Sequence, residues 1–151
     1  MTSDSIKING HVVIKEINAD GEVVSVEEGE NVVCVNGANS LSTALGNTSA
    51  PTAFNYMIIS TDTAAIARAH TAISPVTAAS ALLTPSVDNT GVTSKVVWTN
   101  TFASGGSATI WKFAMATSSA GTSIWNEYLF SAAKDNNTNS LQIIYTASIA
   151  P

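Results

Sequence analysis

The chain predicts a mainly β fold: an antiparallel β-sandwich, jelly-roll-like, of about eight strands with one short helix. Three observations carry that expectation. Runs of alternating apolar and polar residues recur along the chain, as half-buried strands require. Clusters of Gly, Asn, Asp and Ser separate them at hairpin positions. A single segment, "SLSTALG", switches to helical spacing.

Taken in order, Ile6 and Ile8 alternate with Lys7 and Asn9, and "HVVIKEI" continues that strand. Asn18-Ala19-Asp20-Gly21 ends it in a turn, Asp-Gly being a favoured hairpin pair. "EVVSVEE" returns, and "NVVCV" follows Gly29 as a third strand. Asn36 to Asn39 reads as a lead-in turn with Asn39 as N-cap. Leu41, Ala44 and Leu45 then share a helical face, and Gly46 stops the helix. "FNYMIIS" is the next strand.

Residues 61–91 are rich in Ala, Thr and Ser and are broken by Pro75 and Pro85. They read as a long irregular connection, with "ASALLTPSV" supplying one edge strand. The last third is again β. In "SKVVWTNTF", Val96, Trp98 and Phe102 share a side. In "SATIWKFAMA", Trp111, Phe113 and Met115 face away from Ile110 and Lys112. "SIWNEYLFSA" places Ile124, Tyr128 and Phe130 together, and "SLQIIYTASI" aligns Leu141, Ile143, Tyr145 and Ile149. Residues 1–151 therefore read as one sandwich domain, with 1–5 as a short N-terminal arm.

Only 11% of residues are charged, while 45% are hydrophobic. That content supports an ordered core, and a Thr, Ser and Ala surface loses water at little cost, which favours permanent burial against other subunits. Six Lys plus Arg and a net charge of −5 exclude a basic stripe for phosphates, so no nucleic-acid partner is expected. No run of apolar residues approaches bilayer length and the first ten residues are polar, so neither a membrane partner nor a signal peptide is expected. The Glu27, Glu28 and Glu30 cluster reads as a solvated turn. Cys34 is the single cysteine and reads as an inert core thiol.

Catalytic patterns are weak. Two histidines, His11 and His70, cannot build a multi-His metal site, and no spaced ligand loop, Gly-rich phosphate cradle or nucleophile elbow is present. No enzyme activity, metal or cofactor is expected. Asp62 and His70 with a serine could in principle form a triad. Asp62, Asp88 and Glu127 are the carboxylates left to a glycosidase outside the acidic N-terminal region and the terminal turn. Trp98, Trp111 and Trp125 could stack on a sugar if exposed, though strand-face packing is the simpler expectation. Arg68, the one arginine, suits an interface ion pair.

"ENVVCVNGANSLSTALG", followed after a loop by "YMIISTDTAAIARAHTAI", resembles small virion proteins of tailed bacteriophages. "GGSATIWKFAMA" and "YLFSAAKDNNTNSLQIIYTASI" extend the resemblance over roughly residues 30–150. The chain departs from that pattern at Ser60 and Asp62, where such proteins tend to have Gly, and at Ile73, where they tend to have Leu. The resemblance implies a non-enzymatic virion structural subunit. In first place it implies a capsid decoration (cement) protein, a homo-oligomer with the trimer favoured, bound to the major capsid protein or other virion proteins. A tail, baseplate or fibre-attachment subunit is the alternative under the same resemblance; the second alternative, a carbohydrate-binding module, rests instead on Trp98, Trp111 and Trp125. Under the first reading the expected contacts are Thr2, Ser3, Asp4 and Ser5 of the arm, with Ile66, Arg68, His70 and Ile73 of the loop.

Overall fold

The computed structural model describes residues 7–46, 53–107 and 109–150. Among them lie ten strands and one helix in the order β1 (Lys7–Ile17), β2 (Val23–Glu30), β3 (Val32–Val33), α1 (Val35–Gly46), β4 (Tyr56–Ser60), β5 (Ala78–Ala79), β6 (Ser86–Asp88), β7 (Ser94–Phe102), β8 (Ile110–Ala116), β9 (Ile124–Lys134) and β10 (Ser140–Ala150). Two antiparallel five-stranded sheets form, ordered β2-β1-β10-β7-β6 and β3-β9-β8-β4-β5. They pack face to face as the β-sandwich that the alternation predicts.

Period-2 alternation places the core. Val12 and Ile14 on β1 and Leu141, Ile143 and Tyr145 on β10 point inward from the first sheet. Met57 and Ile59 on β4 and Phe113 and Met115 on β8 meet them from the second. The β1–β2 turn forms as its residues dictate: Gly21 takes φ +82°, and the Asn18 side chain accepts the amides of Asp20 and Glu22 at 3.0 and 2.9 Å.

Two bulges change which residues share a face. The β8–β9 register shifts between Ile110 and Lys112 and again between Met115 and Ala116. Ile110 therefore turns into the central core beside Phe113, not outward with Lys112. Ile124 leaves Tyr128 and Phe130 and joins the opposite face. An extra residue in one strand reverses every side chain beyond it, and strict alternation does not foresee this.

The helix begins earlier than its capping pattern suggests. Asn36 to Asn39 form its first turn, because Ala38 N–H donates to Cys34 O at 3.2 Å. Gly37 lets it approach Trp125: a Cβ there would lie 2.7 Å from the indole ring and from the Trp125 carbonyl oxygen.

The second sheet is covered on both sides. Its outer face carries Ile58, Ala114, Ala116 and Ile124, which pack with Cys34 and with Ile73 of the long connection. Backbone bonds pin that connection down: Val35 N–H to Arg68 O at 2.7 Å, Ile73 N–H to Gly121 O at 2.9 Å and Ile124 N–H to Thr71 O at 3.1 Å.

Candidate functional site

The chemistry-bearing residues gather where the connection crosses that outer face. Lys112 stands on β8 opposite Ser60 of β4 and Leu129 of β9. Alternation puts it on the side of Ala114, under the connection, and its side chain is fully buried. A buried ammonium is costly unless paired, and two carboxylates meet it. Asp62 Oδ2, two residues beyond the end of β4, lies 2.5 Å from Lys112 Nζ, and Glu127 Oε1 of β9 lies 3.8 Å away.

Each carboxylate is oriented by its remaining oxygen. Asp62 Oδ1 accepts the Ala64 amide at 2.9 Å. The Asp62 amide donates to Ser60 Oγ at 3.0 Å, and the Ser60 hydroxyl donates to Pro75 O. Glu127 Oε2 receives His70 Nδ1–H at 2.6 Å and the Ala67 amide at 3.4 Å. Burial pushes the Asp62 carboxyl up, but the hydrogen bond from Lys112, the Ala64 amide and the Lys112 and His70 charges outweigh it and hold the group below its ordinary range. Cys34 lies beside this cluster. Burial, with the Glu127 charge, pushes its thiol up to about 12, leaving a protonated, unreactive group.

A second feature is an apolar cavity of about 420 Å³ between α1 and the sheets, walled by Phe54, Trp98, Met115, Trp125 and Tyr145. Both indoles on its wall already use their N–H groups: Trp98 donates to Asn55 Oδ1 at 3.0 Å and Trp125 to Tyr145 Oη at 2.9 Å. All three tryptophans are half-buried, and Trp98 and Trp125 pack against the central core.

The residues singled out from sequence separate into distinct roles. Thr2, Ser3, Asp4 and Ser5 lie outside the described residues. Ile73 is buried within its own chain, and Ile66 is half-buried. His70 is turned onto Glu127, and Arg68 is exposed with no ion-pair partner among the described residues. The connection brings Asp62, His70 and Glu127 together, whereas Asp88 sits apart on the edge strand β6. Lys112 organises the cluster and was not foreseen. Its signal was a lone charge inside the apolar run "TIWKFAMA", on a strand whose two faces are both covered.

Among the described residues no group of three or more His, Cys, Asp or Glu is placed to hold a metal ion. No helix there is long and apolar enough to cross a membrane. No family model, curated protein or solved structure matches the chain.

Proposed function

We propose that the chain is a non-enzymatic virion structural protein, a capsid decoration subunit that binds the assembled major capsid lattice as a homo-oligomer, with the trimer favoured. One observation carries this reading beyond the sequence resemblance. Among the described residues strand β2 ends the first sheet, and it exposes Val23, Val24 and Val26 at 51%, 54% and 58%. An unpaired edge carrying three exposed β-branched residues is a surface that a partner would cover. The polar side chains Asp62 and His70 of the connection are engaged within the chain, and we assign assembly to the apolar β2 edge.

The mechanism is linkage. A subunit that binds the assembled lattice and not its separated parts raises the free energy needed to break the lattice. Purified particles should contain many copies spread over the shell, and stripped capsids should rebind the protein. Val24→Lys combined with Val26→Lys should abolish rebinding while leaving the circular dichroism of the sandwich intact. A few copies confined to one vertex would instead assign the chain to a tail, baseplate or fibre-attachment position. Absence from purified particles would overturn both readings.

A further inference from the structure

We propose that Lys112 and Asp62 join in an intramolecular isopeptide bond, formed by the folded chain itself with Glu127 as proton relay. The two groups are already in contact. Lys112 Nζ touches Asp62 Oδ2 at 2.5 Å, and the carboxyl carbon lies one bond beyond that oxygen. Holding amine and carboxyl in contact removes the entropic part of the barrier to condensation. The amine is fully buried and Glu127 is 1% exposed, so both charges of the ion pair are held away from water. Proton transfer from the Lys112 ammonium to the adjacent Glu127 carboxylate frees the amine as the nucleophile.

The step balances without any further reactant. Lys112 as ammonium and Asp62 as carboxylate give one amide and one water, with no net charge on either side. Nζ forms a bond to Asp62 Cγ, and the bond from Cγ to Oδ2 breaks. Of the three ammonium protons, one stays on the amide nitrogen and two leave with Oδ2 as water. Glu127 Oε1, 3.8 Å from Nζ, receives a proton from nitrogen and returns it to the departing oxygen. His70 and the Ala67 amide occupy Glu127 Oε2, which leaves Oε1 to face the amine. The Ala64 amide on Asp62 Oδ1 stabilises the charge that this oxygen carries in the tetrahedral intermediate. Asp62 is one-quarter exposed, which gives the water an exit.

The Lys134–Glu27 pair shows what the cluster adds. Its ions also meet, at 2.8 Å, but Glu27 is surrounded by donors from Tyr128 and Ser131. No second carboxylate is paired with Lys134 among the described residues, so that pair has no relay. The Lys112–Asp62 bond would anchor the start of the long connection to the centre of the second sheet. This inference does not depend on the virion role.

Intact-mass spectrometry of the purified, denatured full chain tests it. The expected mass is that of the sequence less one water, and a protease digest should yield a branched peptide joining the segments around Asp62 and Lys112. Glu127→Gln should retain the sandwich by circular dichroism and restore the unlinked mass. Asp62→Ala should do the same. A wild-type mass equal to the sequence overturns the proposal. So does a water loss that maps elsewhere, such as ring closure at Asp20-Gly21, which hydroxylamine would cleave. A folded Glu127→Gln chain that still loses the water as fast as wild type overturns the relay. If the variants fail to fold, the wild-type mass and the branched peptide still decide the matter.

Discussion

His70 Nδ1 lies 2.6 Å from Glu127 Oε2, so a loop residue with a side chain 38% exposed holds a strand carboxylate that is 1% exposed. The asymmetry sets the effect of mutation. His70→Ala removes a donor from a group that cannot turn to water, leaving Glu127 with Lys112 and the Ala67 amide. Hydrogen bonds to charged groups contribute about 1.5–3 kcal/mol, and screening at the exposed ring reduces that to about 1–2 kcal/mol. Urea unfolding should show a loss of that size with an unchanged slope. An effect within error would mean that the contact does not hold the connection down.

How far this arrangement is legible in sequence depends on which residues carry it. Leu141, Ile143 and Tyr145 can be assigned to the core because each obeys a strict period of two, undisturbed along β10. Ile110 and Ile124 cannot, because bulges at their ends of the β8–β9 ladder reverse their faces. Asp62 and Glu127 stand out as isolated carboxylates in a chain with few charges. Their convergence on Lys112 is not readable, because it depends on the connection folding back across the sheet. Neither is the cavity, whose walls come from α1, the residues before β4, and strands of both sheets.

Lys134 and Glu27 form a second buried pair, 7% and 9% exposed, that ties edge strand β2 to β9. Burial pushes the Glu27 carboxyl up, but hydrogen bonds from Lys134 and Ser131 outweigh it and hold the group below its ordinary range. A lowered carboxyl stabilises the fold above its unfolded value of 4.5, and that contribution is lost as pH falls through the folded value. Lys134→Met would leave Glu27 buried with only the Tyr128 hydroxyl and the Ser131 amide. Breaking one side of a buried pair costs about 3–5 kcal/mol, and the two remaining donors place the expected loss near the lower end. Thermal unfolding at neutral pH would measure it, and hydrogen exchange should show β2 opening first.

Tyr145 and Tyr128 predict a loss of stability in alkali. Burial pushes both phenols up to about 12, with the Glu27 charge adding to the effect at Tyr128. At Tyr145 the indole N–H of Trp125 and the Asn31 amide act in the opposite direction without outweighing burial. Below pH 10 both groups are protonated in the folded and unfolded chains alike. Above it the unfolded chain loses these protons first, so stability falls as pH rises from 10 towards 12. Chemical denaturation across that interval, with phenolate absorbance recorded in parallel, should show the midpoint declining before these two tyrosines ionise in the folded protein. A flat midpoint would contradict the burial of Tyr145.

Gly37→Ala sets two effects of known size against each other. In a helix interior the substitution would gain about 1 kcal/mol of propensity. Here the new methyl would lie 2.7 Å from the Trp125 carbonyl oxygen and 2.7 Å from its indole ring, closer than a side-chain carbon can approach. The indole cannot swing away freely, because its N–H is held by Tyr145 Oη at 2.9 Å and its ring packs against Phe54 with centroids 5.6 Å apart. The carbonyl belongs to β9, where it also accepts the Cys34 amide at 2.7 Å. Overpacking of this kind costs about 1–3 kcal/mol or more, so the clash should outweigh the propensity gain. The expected result is net destabilisation, with altered Trp fluorescence as α1 is displaced from Trp125. A variant more stable than wild type would mean that α1 does not pack against β9 as closely as these contacts require.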